Sequence, residues 1–97
     1  MTTVKRLEII VESVLEKRVA RAIEEAGVGG WTLHRNAAGL GSHGLRDAEG
    51  LTAEGRNSVF IVAAPPEAAE RLLALLRPLL ARHGGACLVS DAAWLDR

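Results

Sequence analysis

Two glycines separated by one residue, Gly39-Leu40-Gly41, are followed directly by Ser42 and, further on, by Arg46. Glycine backbone can turn successive amide groups toward one point, where they cradle an anion, and an arginine adds a rigid fork of donors. A second pair, Gly84-Gly85 followed by Ala86, offers the same amide chemistry near the C-terminus. Taken alone each signal is weak: the chain has 10 glycines, and most glycine pairs merely permit tight turns. Arg46 alone reads equally well as a solvated loop charge. The remaining reactive groups form no recognised constellation. His34, His43 and His83 have no metal-ligand spacing, and Cys87 on an apolar stretch reads as a small buried hydrophobe, so no metal site is expected. Ser42, Ser58 and Ser90 can each be imagined with a histidine and Asp47 or Asp91, yet no nucleophile elbow supports catalysis.

Composition narrows the partners. The chain has 97 residues, 48% of them hydrophobic, with 12 basic and 12 acidic side chains. That length suits one domain, residues 1–97, without a separate catalytic module. The zero formal charge lacks the basic excess of a nucleic-acid binder. Three aromatics, Trp31, Phe60 and Trp94, are too few for a base-stacking surface. A single cysteine excludes an intrachain disulfide and fits a reducing cytoplasm. The N-terminus alternates charged with apolar residues, and no apolar run approaches the roughly 20 residues that span a bilayer.

The elements that must position the glycines follow from periodicity. Leu7, Ile9 and Val11 alternate with Arg6, Glu8 and Glu12, predicting a half-buried strand. Ser13 and Glu16 have the spacing of a capping box opening a helix. The apolar face of that helix is Leu15, Val19, Ala22, Ile23 and Ala26, and Gly27 is its left-handed stop. Trp31 to Asn36 alternates again. From Ala37 to Arg56 periodicity is absent and glycine is frequent, which predicts a long functional loop. Val59 to Ala63 is an unbroken apolar strand. After Pro65-Pro66 a leucine-rich helix buries Ala69, Leu72, Leu73, Leu76, Leu79 and Leu80, with Pro78 expected to kink it or end it early. Ala86 to Val89 reads as a last short strand, leaving Ser90 to Arg97 as a tail. The order βαββαβ is that of an α+β, ferredoxin-like sandwich, an antiparallel four-stranded sheet with both helices on one face. Both sides of the third strand are apolar, and Ile10 opposes Leu7, Ile9 and Val11. The uncovered face therefore calls for burial, most simply by self-association into a closed ring.

Gly27-Val28-Gly29-Gly30-Trp31-Thr32-Leu33, leading through a strand to Gly39-Leu40-Gly41 and a long loop, resembles the PII signalling family where its second strand meets the T-loop. The resemblance spans nearly the whole chain. Gly41-Ser42-His43-Gly44-Leu45-Arg46 is most similar to the PII-like branch linked to bicarbonate uptake and carboxysomes, and Gly84-Gly85 resembles the family's B-loop. The resemblance implies a non-enzymatic homotrimer without a catalytic cofactor. Residues 37–56 would be its T-loop-like segment and 82–86 its B-loop-like segment. It would bind ATP, ADP or AMP in clefts between subunits and change loop posture to engage a partner, for this branch an inorganic-carbon transporter or a carboxysome-related protein. By position, Trp31 and Thr32 would lie along the adenine, with Ile61 and Val62 of a neighbour. Gly39, Leu40, Gly41, Ser42, Arg46 and Gly84, Gly85, Ala86 would lie near the phosphates. Bicarbonate is implied as a second ligand, without a residue to hold it.

The chain departs from the family pattern in several places. It contains no tyrosine, so the uridylylation switch of the nitrogen-regulatory members cannot operate, and the loop is shorter than theirs. Ala86 replaces the basic residue that follows the B-loop glycines, and the third strand lacks its frequent glutamate, which together favour a diphosphate or monophosphate. One extra residue precedes Gly39. The cysteine-containing C-terminal extension of some transporter-linked members is absent. The competing expectation is a structural or metal-tolerance trimer of the same topology, or a small enzyme with its active site at subunit boundaries.

Overall fold

In a computed structural model, residues 1–38 and 56–97 are described. Strand β1 (Thr2–Glu12) leads through a 3-10 turn (Ser13–Leu15) into α1 (Glu16–Glu25), then β2 (Thr32–Ala37), β3 (Asn57–Ala64), α2 (Pro66–His83) and β4 (Ala86–Trp94). The four strands form one sheet in the order β2-β3-β1-β4, and every neighbouring pair is antiparallel. The ferredoxin-like expectation is met: the two central strands β1 and β3 pair from Lys5↔Ala64 to Glu12↔Asn57.

The helices bury one side of this sheet. Leu7, Ile9, Val11, Phe60 and Val62 point into a core closed by Leu15, Val19, Ala22, Ile23 and Ala26 from the first helical segment and by Ala68, Ala69, Leu72 and Leu76 from α2. Each large side chain fully removed from water contributes about 1.5–3 kcal/mol. All five residues expected on the first helix face are buried. Leu73, Leu79 and Leu80 pack only partly. Gly27 ends α1 as expected, with φ +86°. Its amide donates to the Glu24 carbonyl at 3.0 Å and that of Val28 to Ile23 at 3.2 Å, satisfying carbonyls the helix leaves open. The Arg71 guanidinium donates to the neighbouring Ala26 carbonyl at 3.0 Å.

Three local expectations are corrected. Ser13 and Glu16 do not form a capping box, because no side chain caps α1 and both residues face β3 instead. Pro78 does not end α2, which continues to His83. Ala74, whose carbonyl would have received the missing N–H, is exposed, so water can satisfy it while Leu76, Leu79 and Leu80 hold the helix on the core. The last strand runs to Trp94 instead of Val89, because β4 pairs with β1 as far as Thr2↔Trp94.

Among the described residues no helix covers the second side of the sheet. Register places Thr32 and His34 of β2, Val59, Ile61 and Ala63 of β3, Arg6, Glu8 and Ile10 of β1, and Ala86, Leu88 and Ser90 of β4 on this open side. Ile10, Val59, Ile61 and Ala63 are only half-buried there, and Leu88 is 61% exposed. Among the described residues no helix is long and apolar enough to cross a membrane.

Candidate functional site

The expected site residues within the described chain fall into two groups at different places on the sheet. Gly39, Leu40, Gly41, Ser42 and Arg46 lie outside the described residues. Thr32 pairs directly with Ile61, and Trp31, one residue before β2, is 37% exposed. One chain thus brings Trp31, Thr32 and Ile61 together without a neighbour. Val62 is fully buried in the core, backbone included, so the single chain does not expose it to a ligand. β3 runs past the start of β2: Val62, Ala63 and Ala64 pair with β1 but have no partner residue on β2. Beside Trp31 the β2 ladder therefore stops short of the end of β3, at residues of which Val62 and Ala64 are buried.

The second group lies at the opposite end of the strands. Gly84 and Gly85 connect α2 to β4 with φ of +84° and +113°, conformations that favour glycine. The Gly84 amide donates to the Leu80 carbonyl at 2.8 Å and so caps α2. Gly85 is buried, and a Cβ there would sit 2.7 Å from the Ile10 carbonyl oxygen. Both glycines thus have structural duties independent of any ligand. Ala86 pairs with Ile10. This turn shares its end of the sheet with Ala37 and Arg56, which bound the segment 38–55, because Val11 pairs with Ser58 and Asn57 with Ala37.

The two groups do not meet within one chain. Thr32 and Ala86 are on opposite edge strands, three strand spacings and two residues apart, or about 16 Å.

A polar cluster that sequence reasoning missed fixes the end of the sheet near Ala37 and Arg56. The Arg35 Nε donates to both Glu16 oxygens at 3.1 and 3.2 Å, and its Nη2 reaches Oε1 at 3.0 Å. The Ser58 hydroxyl donates to the other side of the same carboxylate. Ser13 donates from its amide and its hydroxyl to the Arg56 carbonyl, both at 2.8 Å. Asn57 Nδ2 donates to the Ala37 carbonyl at 3.0 Å. Asn57 and Ser58 are buried at 2% and 0% exposure, and Asn36 adopts a positive φ of 59° beside an irregularity in the β2–β3 register. The Arg35 guanidinium and the Ser58 hydroxyl hold the Glu16 carboxyl below the usual carboxylate range, against the opposing effect of partial burial. The available signal was the polar pair Asn57-Ser58 opening an otherwise apolar strand.

Elsewhere the described residues offer little that resembles a reaction centre. A groove of about 360 Å³ lies between the helices, lined by Arg18, Arg21, Ala22, Glu25, Leu75 and Leu79, and contains none of the expected site residues. Burial pushes the Cys87 thiol up to about 11.

Comparison with known proteins gives this arrangement its context. The profile of the family described as Nitrogen regulatory protein P-II matches residues 4–95. No curated protein sequence matches the chain. Among solved structures, CPII of Thiomonas intermedia K12 bound to ADP, AMP and acetate is 28% identical, with a TM-score of 0.83 over 98% of this chain and 91% of that one. The same protein bound to ADP and bicarbonate aligns at 33% identity and a TM-score of 0.78, covering 95% and 88%. A protein of Thermus thermophilus, solved as a PII-like signalling protein, is 27% identical with a TM-score of 0.75, covering 97% and 91%. Matched over residues 4–95 and folded as the same ferredoxin-like sheet, the chain belongs to the P-II family, a family of signalling regulators and not of enzymes.

Proposed function

We propose that the chain is a cytoplasmic homotrimeric sensor that binds ADP, AMP or ATP between subunits and transmits occupancy to a protein partner. The observation that carries this reading is the likeness over 98% of the chain to CPII bound to ADP and AMP. The geometry supports it: the two halves of the site lie on opposite edges of one sheet, where a neighbouring copy can join them. The adenine is placed beside Trp31, Thr32 and Ile61, the last two being paired across β2 and β3. The phosphates then fall to the other subunit, to Gly85 and Ala86 of the double-glycine turn and to Gly39, Leu40, Gly41, Ser42 and Arg46. With the Gly84 amide engaged by α2 and no basic residue at position 86, few donors remain at the turn for a third phosphate. This favours ADP or AMP.

Bicarbonate is proposed as a second ligand because CPII was also solved with ADP and bicarbonate. An inorganic-carbon transporter or a carboxysome-related protein is the proposed partner. Calorimetric titration with ADP, AMP and ATP, each with and without bicarbonate, tests the reading. ADP or AMP should bind, and Arg46→Ala should weaken either by roughly tenfold or more, the loss of a charge-assisted hydrogen bond, with the assembly intact. Absence of binding by all three nucleotides refutes the sensor reading.

A further inference from the structure

The open side of the sheet is apolar at Ile10, Val59, Ile61, Ala63 and Leu88, but it carries two charges at its centre. Over residues 4–10, 59–63 and 86–94, Arg6 and Glu8 are the only charged side chains that the register places on this side. Arg6 is flanked by Ala63 and Ser90, and Glu8 by Ile61 and Leu88. Among the described residues they make a single contact, Arg6 Nη2 to Glu8 Oε1 at 3.5 Å, with side chains 39% and 29% exposed. One such contact leaves most donors of the guanidinium and one carboxylate oxygen dependent on water.

Covering this face removes that water, and an ion buried without a full set of partners strongly opposes association. Around these two side chains the face itself offers only the Ser90 and Thr32 hydroxyls and His34. A second copy brings what is missing, one cation and one anion with the same spacing.

We infer that Arg6 of each copy pairs with Glu8 of the next copy around the ring, and that these cross-subunit pairs set the register in which the open faces meet. The pairing works as a specificity device: sliding one sheet along the other by a residue, or turning it end for end, sets arginine against arginine or a charge against Ile61 and Leu88. The inference rests on the assembly proposed above and adds to it a determinant of register and partner choice.

Light scattering and analytical ultracentrifugation of Arg6→Glu, Glu8→Arg and the double exchange Arg6→Glu/Glu8→Arg test it, with circular dichroism as a check on folding. Each single reversal should raise the concentration at which the assembly dissociates by at least about a hundredfold. The double exchange, which keeps one charge of each sign, should restore assembly. Should the single variants also unfold, rescue of both fold and assembly by the double exchange supports the inference, and failure to rescue overturns it. Single reversals that assemble like the wild type overturn the cross-subunit pairing alone, whereas a wild type that is monomeric at micromolar concentration overturns the assembly reading together with it.

Discussion

Gly85→Ala separates the structural duty of the double-glycine turn from any role in binding. A methyl group at this position would lie 2.7 Å from the Ile10 carbonyl oxygen and 3.1 Å from both Leu80 and Val11 side-chain carbons. The closest of these is backbone of a central strand, paired with β3 on one side and β4 on the other, so it cannot withdraw as the tip of a side chain would. The φ of +113° adds a conformational cost of about 1–2 kcal/mol for a residue with a Cβ. Overpacking against a fixed neighbour adds about 1–3 kcal/mol. The total, about 2–5 kcal/mol, is a large share of the roughly 5–15 kcal/mol expected for a domain of this size. At about 4–8 °C per kcal/mol, thermal unfolding followed by far-ultraviolet circular dichroism without ligand should shift down by at least about 8 °C. Gly29→Ala is the matched control, because nothing lies within 4 Å of a Cβ there and its φ is ordinary. It should melt within about 4 °C of the wild type. A Gly85→Ala protein that melts with the control would refute the close-packing argument. It would also leave ligand binding as the reason for glycine at this site.

Two further predictions address single groups. Glu16 has its carboxyl held low by Arg35 and Ser58, so its contribution to stability is complete above the ordinary carboxylate range and is lost as pH falls through the depressed value. Glu16→Gln should therefore melt below the wild type at pH 7, and the gap should shrink progressively below about pH 4.5; a gap that persists undiminished at about pH 3 would contradict this account of the cluster. Cys87, its thiol raised from 9.0 to about 11, holds about a hundredfold less thiolate at pH 8 than an unperturbed thiol, an effect partly offset by greater intrinsic nucleophilicity. Ellman's reagent should react with the native protein at least about tenfold more slowly than with the chain unfolded in denaturant, and equal rates would show the thiol to be freely accessible.

Much of the fold was legible because hydrophobic periodicity records burial directly. Leu15, Val19, Ala22, Ile23 and Ala26 announced a helix face, and all five are buried. The misreadings arose where tertiary contacts overrode a local rule. The spacing of Ser13 and Glu16 satisfies a capping box, yet the Ser13 amide is taken by the Arg56 carbonyl and Glu16 pairs with Arg35, 19 residues away in sequence. Residues 90–94 lack apolar alternation, being Ser90, Asp91, Ala92, Ala93 and Trp94, and owe their strand conformation to pairing with β1. Local pattern cannot report that. The candidate site was readable only in part for the same reason. Glycines and an arginine identify an anion-binding chemistry, but the juxtaposition of Thr32 with Ile61 arises from where β2 begins relative to β3, which no residue type encodes. Family resemblance supplied the residues, and register supplied their separation.

That separation has a thermodynamic consequence for regulation. For the site proposed above, with its halves about 16 Å apart in one chain and joined by a neighbouring copy, nucleotide binding and assembly share one free-energy cycle. A ligand present at about 100 times its dissociation constant stabilises the assembled form by about 2.7 kcal/mol per site, and by reciprocity assembly raises ligand affinity equally. Two limits follow for a sensor of this kind. If subunits associated only weakly, nucleotide would chiefly control how many of them assemble, and the response would depend on protein concentration. If the open face binds its neighbour tightly enough to persist without ligand, the same binding energy is free to act on local structure at the cleft. The half-buried surface of Ile10, Val59, Ile61 and Ala63, continuous across the two central strands, favours the second regime. Signalling is then carried by the segments that flank the ligand, and the Glu16–Arg35–Ser58 cluster, which fixes the sheet end at Ala37 and Arg56, provides the rigid base against which such a change can be read.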